Sequence, residues 1–120
     1  MKIRRIVPDL HSKDLNQSRM FYTDFLGMQL SMDMGWILTF SSPDNPTAQV
    51  TVIREEASSA LQPDLTVEVA DVDEIYTRAV ELGLQIVYPL TGEPWGVRRF
   101  FVVDPNGKII NIMSHPQEKG

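Results

Sequence analysis

Hydrophobic and polar positions follow the same succession of patterns twice along this chain. Apolar residues alternate with polar ones, as in a β-strand, then recur every three to four residues, as in a helix, and then alternate again. The segment "DLTVEVA" at 64–70 alternates without a break, and "QVTVI" from Gln49 and "KIINIM" from Lys108 are also predicted to be strands. Each half of the chain is therefore predicted to run strand, helix and then about three strands.

Matching signals bound the two predicted helices. Asp14 and Asp71 each stand three residues before a Gln or Glu, which is the spacing of a capping box. Both helices end at Leu-Gly, in the repeated phrases "LGMQL" and "LGLQI", because glycine suits the left-handed residue that closes a helix. Helices are predicted near 14–26 and 71–82.

Helical spacing also predicts which side of each helix faces the core. For the first helix this side is expected to comprise Leu15, Ser18, Phe21, Tyr22, Phe25 and Leu26. For the second it is expected to comprise Val72, Ile75, Ala79 and Leu82.

The chain is predicted to be one α+β domain, 1–120, built of two tandem β-α-β-β-β modules at 1–56 and 63–115. A polar linker at 55–63 separates them, and "DPNG" at 104–107 is typical of a hairpin turn. If one helix covers one face of each sheet, the opposite face is free to line a cleft, within a chain or between chains. Strand alternation predicts that its lining includes Val7, Asp9, Gln49, Thr51, Asp64, Thr66, Glu68, Ile109, Asn111 and Met113.

Composition places the chain among ordinary globular domains, with 42% of its 120 residues hydrophobic and 22% charged. The absence of cysteine excludes a disulfide scaffold, a thiolate metal site and a cysteine nucleophile. No apolar run has the length of a signal peptide or membrane span, so we expect a cytoplasmic location and no membrane partner. A formal charge of −5 disfavours nucleic-acid binding, and the pairs Arg4-Arg5 and Arg98-Arg99 are expected to be solvated strand positions.

The two tryptophans are candidate ligand contacts. Trp36 follows a turn at Gly35, and Trp95 lies in the loop "GEPWG" between a proline and a glycine. A tryptophan in such a position either stacks on a flat ligand or packs as part of the core.

Titratable side chains give a weaker signal. Asp9, Asp64 and Glu68 would suit a cationic ligand. His11 and His115 are expected to have surface or loop roles. No Ser/His/Asp arrangement and no phosphate-binding glycine loop can be identified by spacing.

Three stretches carry a family resemblance. They are "SRMFYTDFLGM" after the first strand, "ELGLQI" at the end of the second helix, and "EPWGVRRFFVVDPNGKIINI" near the C-terminus. In this order they resemble the vicinal oxygen chelate superfamily, which holds glyoxalase I, extradiol dioxygenases, fosfomycin-resistance enzymes and bleomycin-resistance proteins. The resemblance covers nearly the whole chain and implies paired β-α-β-β-β modules whose mixed sheets curl around a small-molecule cleft.

The resemblance also implies where a metal would be held. Enzymes of the superfamily usually bind a divalent metal through four His, Gln or Glu side chains, and those positions fall at about Val7, Thr51, Asp64 and Asn111. Val7 cannot ligate, and Thr51 and Asn111 are weak ligands. Asp64 is then the only carboxylate, so no metal and no other cofactor is expected.

Two principal functions remain open. The favoured one is a small-molecule binding protein of the bleomycin-resistance type, which would confer antibiotic resistance by sequestering a small cationic or aromatic ligand. Its binding residues would include Val7, Asp9, Trp36, Thr51, Asp64, Glu68, Trp95 and Asn111. The alternative is an enzyme of the superfamily, a glyoxalase-like lyase or a dioxygenase, with an atypical metal site or with Asp64 or Glu68 as a general base. A ligand sensor is a third class.

A homodimer is expected, because four strands per module form an open sheet whose exposed edge a second copy would cover. The motif "VPDL", which contains Pro8, resembles a Val-Pro motif of the bleomycin-resistance proteins, whose N-terminal strands exchange between subunits. Strand exchange and a proline that only blocks edge aggregation are the two alternatives for this position.

Overall fold

The structure, a computed structural model, describes residues 2–55 and 61–115. Its elements are, in order, β1 (Ile3–Ser12), α1 (Leu15–Arg19), the π-helical segment π1 (Met20–Phe25), β2 (Gln29–Asp33), β3 (Ile37–Ser41), β4 (Gln49–Arg54), β5 (Leu65–Val69), α2 (Val72–Glu81), β6 (Ile86–Gly92), β7 (Arg98–Val103) and β8 (Ile109–Ser114). The predicted succession of strand, helix and three strands occurs twice, which confirms the α+β class. Among the described helices, none combines the length and apolar character needed to cross a membrane.

The chain divides into two compact units. The N-terminal unit lies within Val7–Gln62, and the C-terminal unit lies within Met1–Ile6 and Pro63–Gly120. The first residues of β1 therefore belong to the C-terminal unit. The predicted linker at 55–63 falls partly outside the described residues.

The sheet of the N-terminal unit has the strand order β2-β3-β4-β1. β3 is antiparallel to both β2 and β4, and β1 runs parallel to β4. One face carries the core, in which the ring of Tyr22 stacks on that of Phe40 with 5.2 Å between the centroids. The buried residues of this core are Leu38, Phe40, Val50 and Val52.

The sheet of the C-terminal unit has the strand order β5-β8-β7-β6, with β5 parallel to β8. Helix α2 covers one face, and the ring of Tyr76 meets that of Phe100 edge-on at 5.0 Å. The buried core residues are Val69, Val72, Ala79 and Phe100. Leu82, predicted to face this core, is instead 63% exposed. It is the C-cap of α2 and lies past the last residue that packs on the sheet.

The predicted helix caps are confirmed. Asp14 accepts hydrogen bonds from two backbone amides at the start of α1, and Asp71 does the same for α2. Gly27 and Gly83 both have left-handed backbones, with φ of 75° and 68°. The capping box is only half formed in α1, because the Asp14 amide donates to the hydroxyl of Ser12 at 3.1 Å rather than to the glutamine three residues on.

The predicted hairpin turn at 104–107 is also confirmed. The Gly107 amide donates to the Asp104 carbonyl at 3.0 Å, and the Asp104 carboxylate accepts from the amides of Asn106 and Lys108. This turn fixes how β7 and β8 pair, and so decides which side chains share a face.

The first helix differs from the second by a single residue. Gly27 lies thirteen positions after Asp14, whereas Gly83 lies twelve positions after Asp71. The hydrogen bonds that close the first helix each span one residue more than those that close the second. The wider turns of π1 accommodate this extra residue, as π-helical segments do.

The prediction of the buried side of the first helix was wrong at three positions. Leu15 and Tyr22 pack against the core as expected. Phe21, Phe25 and Leu26 are exposed, Phe25 by 72%. Phe21 lies about 120° around the helix from Leu15 even at 3.6 residues per turn, so the predicted face was too wide. The wider turns of π1 then rotate the last residues, Phe25 and Leu26, away from the sheet.

Candidate ligand-binding face

Each sheet has a second face that does not pack on its helix. In the N-terminal unit this face carries Val7, Asp9 and Thr51, all buried. Asp9 and Thr51 are direct partners across β1 and β4, and Thr39 is the partner of Thr51 on its other side. The hydroxyls of Thr39 and Thr51 lie 3.0 Å apart and bond to each other. On the N-terminal face, the hydroxyl of Thr51 therefore has its hydrogen-bond partner within the sheet.

The second face of the C-terminal unit is built of two rows of side chains that cross its strands. We call it the C-terminal face. Paired residues share a face, so the pairing of β7, β8 and β5 places each row on one side of the sheet. One row is Arg99, Met113 and Glu68, and the other is Phe101, Asn111 and Thr66.

Glu68 lies on β5, at one side of the C-terminal face. It is buried, and its two carboxylate oxygens have different partners. The guanidinium of Arg5 donates to Oε1, and His115 Nδ1 lies 2.9 Å from Oε2. Burial acts to raise the pKa of Glu68, but the hydrogen bond from His115 and the charge of Arg5 outweigh it and lower that pKa. Glu68 is therefore an ionised, fully engaged carboxylate at neutral pH.

Arg99 forms the centre of a second cluster on this face. Its Nε donates to Glu93 Oε2 at 2.8 Å, and the Tyr88 hydroxyl donates to the same oxygen at 2.7 Å. The rings of Tyr88, Trp95 and Phe101 surround the guanidinium, with their centroids 5.4, 5.2 and 5.0 Å from its carbon. Burial acts to raise the pKa of Glu93, but the hydrogen bonds from Tyr88 and Arg99 prevail and lower it. Guanidinium and carboxylate are thus held as a rigid charged pair.

Two groups on the C-terminal face have hydrogen-bonding capacity left over. The terminal nitrogens of Arg99 bond to no side chain within the described residues, since the only hydrogen bond and ion pair of its guanidinium run through Nε. Asn111 donates its amide nitrogen to Thr66 at 3.1 Å, but its buried Oδ1 has no partner in the described part of the chain. An unsatisfied buried acceptor costs about 1–3 kcal/mol, a cost that a bound hydrogen-bond donor would remove.

The structure divides the eight predicted binding residues between the two units. Glu68, Asn111 and Trp95 lie on or beside the C-terminal face. Val7, Asp9 and Thr51 lie together on the N-terminal face, and Trp36 precedes β3 at 38% exposure. Asp64 precedes β5, where its carboxylate accepts the Ile109 amide at 2.9 Å and ties β5 to β8. Their role in binding, and a cleft lined by both faces, stay predictions.

Sequence reasoning missed six members of the site, which are Arg5, Tyr88, Glu93, Arg99, Phe101 and His115. The expectation that the arginine pairs are solvated was wrong for one member of each pair. Arg98 is half-exposed and forms an ion pair with exposed Asp73, but Arg99 is enclosed by rings. Counting outward from the hairpin turn would have found Arg99, because that turn opposes Phe101 to Asn111 and places Arg99 on the same side.

The residues at the superfamily's metal positions do not fit a catalytic metal. Val7 offers no donor atom, and the hydroxyl of Thr51 is engaged by a neighbouring threonine. Asp64 is engaged by a backbone amide, which leaves the neutral oxygen of Asn111 as the only free donor of this set. Within residues 2–55 and 61–115, no three His, Asp or Glu side chains are grouped so that they could hold a metal ion.

A cavity of about 450 Å³ opens in the C-terminal unit where β5 and β8 end and α2 begins. Glu68 and His115 contribute to its wall, together with Arg4, Ser114 and the first residues of α2. Its size is that of ordinary small-molecule sites. Glu68 and His115 therefore border both the C-terminal face and this cavity.

Comparison with known proteins identifies the family of this chain. The sequence matches the family model described as "Glyoxalase-like domain" over residues 6–116, so the chain belongs to that family. The predicted place in the vicinal oxygen chelate superfamily is thereby confirmed. No protein of curated function matches the sequence.

Solved structures of the superfamily share the fold. A glyoxalase/bleomycin resistance protein/dioxygenase superfamily member from Vibrio splendidus 12B01 is 19% identical with a TM-score of 0.72, covering 93% of this chain and 98% of its own. Methylmalonyl-CoA epimerase from Mycobacterium tuberculosis is 20% identical with a TM-score of 0.67, and the match covers 94% of this chain and 87% of the epimerase chain. The Mn(II)-bound glyoxalase from Novosphingobium aromaticivorans is 18% identical with a TM-score of 0.66, and the match covers 95% of this chain and 38% of the glyoxalase chain. At these identities the similarity concerns the fold alone.

Proposed function

We propose that this protein binds a small molecule on its C-terminal face and holds it without transforming it. The observation that carries the proposal is the unsatisfied Oδ1 of Asn111, which is buried on the same side of the sheet as the ring-enclosed Arg99. A buried acceptor without a partner is a cost to the fold that a bound ligand removes. Sequestration of a drug, as in bleomycin-resistance proteins, is the form of this function that the sequence favours.

The rigidity of the face supports a binding role. Glu68 and Glu93 each accept two hydrogen bonds from side chains on different elements, so the charged groups are fixed before any ligand arrives. Groups fixed in advance lose little conformational entropy on binding. The remaining capacity of Arg99 and Asn111 is therefore available to a ligand at low entropic cost.

A thermal-shift screen tests the proposal. The purified protein is screened against a small-molecule library that includes bleomycin-type drugs, and against divalent metals. A ligand that binds the native state raises the melting temperature by mass action. We expect compounds that stabilise the wild type, a response that is lost in Asn111→Leu and kept in the control Ile110→Leu, whose residue adjoins Asn111 on β8 and points to the opposite face. Equal responses in the two variants would contradict the proposed site.

The metal arm of the same screen tests the cofactor proposal. Because the four superfamily positions lack a basic donor set, we expect no stabilisation by zinc, nickel, manganese or iron. Stoichiometric metal in the purified protein, lost on Asp64→Ala or Asn111→Ala, would show that the positions do bind metal.

We also propose that the protein is a cytoplasmic homodimer. The proposal rests on the edge strands β2 and β6, which a second copy could cover, and on the sequence motif around Pro8 in β1. Light scattering at micromolar concentration is expected to give twice the 13.6 kDa chain mass. A monomer mass would contradict the dimer, whereas a dimer that survives deletion of residues 1–10 would contradict only the exchange of N-terminal strands.

An enzymatic role without a metal is the second candidate, and the pairing of Glu68 with His115 beside the cavity is the observation that favours it. The lowered pKa makes Glu68 a poor base at neutral pH. The acceptor of a proton would instead be His115, oriented by Glu68 as in other carboxylate–histidine pairs. Deuterium exchange into a stabilising ligand in D₂O, abolished by His115→Gln, would establish this role. An unchanged ligand supports the binding role.

A further inference from the structure

We infer that the ligand of the C-terminal face is a flat ring bearing an acidic group, with the acid bound by Arg99 and the ring stacked on Trp95, while a hydrogen-bond donor elsewhere on the ligand meets the free Oδ1 of Asn111. The inference rests on the proposed function and names the ligand class for the same site. The contacts to the acid and the ring depend on the geometry of five residues, which are Tyr88, Glu93, Trp95, Arg99 and Phe101.

The state of the guanidinium favours an acidic group. Arg99 donates a hydrogen bond to Glu93 through Nε alone. The same carboxylate oxygen of Glu93 also accepts a hydrogen bond from the hydroxyl of Tyr88. The two terminal nitrogens of Arg99 remain without a partner among the described residues, although the side chain is only 24% exposed. A planar fork of free N–H donors matches a carboxylate or a phosphonate in a two-point contact. An acidic ligand group is therefore the natural partner of this edge.

The same cluster disfavours a cationic ligand. Its three rings already surround one cation, with their centroids 5.0 to 5.4 Å from the Arg99 carbon. A second cation would be repelled by that guanidinium, or would displace it and leave the buried Glu93 unpaired. Glu68 offers no alternative, because Arg5 and His115 already engage both its oxygens.

Trp95 provides the surface for the ring. It is 61% exposed although the Arg99 guanidinium lies 5.2 Å from its centroid. The loop that carries it is closed by backbone hydrogen bonds, from the Glu93 amide to the Val97 carbonyl at 2.7 Å and from the Gly96 amide to the Glu93 carbonyl at 3.1 Å. A large ring held by a closed loop loses little entropy when it stacks on a ligand.

A matched set of probes separates the two requirements. The probes are 2-naphthoate, 2-naphthamide and 2-naphthylmethylammonium, which share a ring and differ in charge, and acetate, which has the charge without the ring. Ligand-observed NMR titration of the full chain measures each dissociation constant. We expect 2-naphthoate to bind with a constant on the order of 1 mM or below, at least tenfold more tightly than each of the other three probes.

The variants test the assigned contacts. Arg99→Gln is expected to weaken 2-naphthoate at least tenfold, and Trp95→Ala at least threefold. The control Arg98→Gln removes the same charge one residue away and is expected to change nothing, because Arg98 points to the opposite face of the sheet and pairs with Asp73. Should Arg99→Gln unfold by leaving Glu93 unpaired, the double variant E93Q/R99Q removes both charges and gives the same test.

The outcomes distinguish the ligand class from the proposed function. Tightest binding by the amide or the ammonium, weakened by Asn111→Leu, would overturn the acidic class and leave the proposed function standing. Equal loss of 2-naphthoate binding in Arg98→Gln and Arg99→Gln would also overturn it. If no probe and no library compound binds the wild type, both the ligand class and the proposed function are wrong.

Discussion

The polar faces of the two units differ most clearly at one pair of corresponding positions. Thr51 is the third residue of β4, and Asn111 is the third residue of β8. On the neighbouring antiparallel strand, Thr51 faces Thr39, whose hydroxyl satisfies it. Asn111 faces Phe101, which has no polar atom, and its Oδ1 stays unpaired within the described residues. The repeated scaffold thus supports one satisfied face and one face with capacity for a ligand.

The comparison shows where function is carried in a repeated fold. The caps, the closing glycines and the helix-packed cores are alike in both units, because each stabilises the same β-α-β-β-β arrangement. Apart from the π1 segment, the differences lie on the face that the helix does not cover, which is not needed for packing on the helix. Residues that break the repeat are therefore better guides to the site than residues that follow it.

The largest expected effect tests the shared part of the scaffold. Phe40 and Phe100 are fully buried in the two cores, and each contacts a tyrosine of its helix. Replacing either by alanine is expected to lower the free energy of unfolding by about 3–5 kcal/mol, as for other buried phenylalanines. Urea denaturation measures this loss. If one variant loses less than about 1 kcal/mol, the two cores are not equivalent.

A smaller effect separates the two neighbouring arginines of β7. Arg99→Gln leaves the buried carboxylate of Glu93 without its charged partner and is expected to cost roughly 1–3 kcal/mol. Arg98→Gln breaks an exposed ion pair and is expected to cost about 0.5 kcal/mol or less. Urea denaturation of both variants at neutral pH checks the difference, and equal losses would show that Arg99 is as solvated as the sequence suggested.

The pH dependence of stability sharpens the same contrast. The pKa of Glu93 in the folded state lies below its ordinary value of 4.5, so the folded protein binds fewer protons than the unfolded chain in this range. The stabilisation is complete above pH 4.5 and is lost as the pH falls through the folded-state pKa. In Glu93→Gln, the free energy of unfolding is expected to fall less as the pH is lowered through this range. An unchanged acid limb of the stability profile would mean that Glu93 is not held as an ionised pair.

The smallest effect concerns the corresponding pair itself. Thr51→Val breaks the hydrogen bond to Thr39 and is expected to cost about 1 kcal/mol. Asn111→Leu removes an unsatisfied acceptor together with a single hydrogen bond to Thr66, and is expected to be neutral or stabilising by up to about 1 kcal/mol. Denaturation midpoints compare the two variants. A larger loss for Asn111→Leu would imply that its amide serves the fold rather than a ligand.

Local signals made most of the fold predictable from the sequence. Asp14 and Asp71 cap their helices through amides two and three residues away, and the turn at 104–107 closes through its own side chain. Such contacts depend on residues that are close in sequence, so spacing reveals them. The π1 segment escaped prediction because one extra residue between cap and glycine changes the helix without changing the signals at its ends.

The site was less predictable because its contacts are long-range. Glu68, Arg5 and His115 meet from positions separated by 63 and 47 residues. Strand alternation placed Glu68 and Asn111 on a polar face but gave no information on what lies beside them. The enclosure of Arg99 by three rings likewise depends on β6, β7 and the loop between them.

Protein-observed NMR with 2-naphthoate tests most directly whether the C-terminal face is the one that binds. Titration of ¹⁵N-labelled protein reports the Trp95 indole, the Arg99 Nε–H and the Asn111 side-chain amide, and also the backbone amides of Thr39 and Thr51. We expect the largest shifts, saturating together, to arise from the three side chains of the C-terminal unit. Largest shifts at Thr39 and Thr51, with the Arg99 and Asn111 signals unmoved, would contradict this expectation.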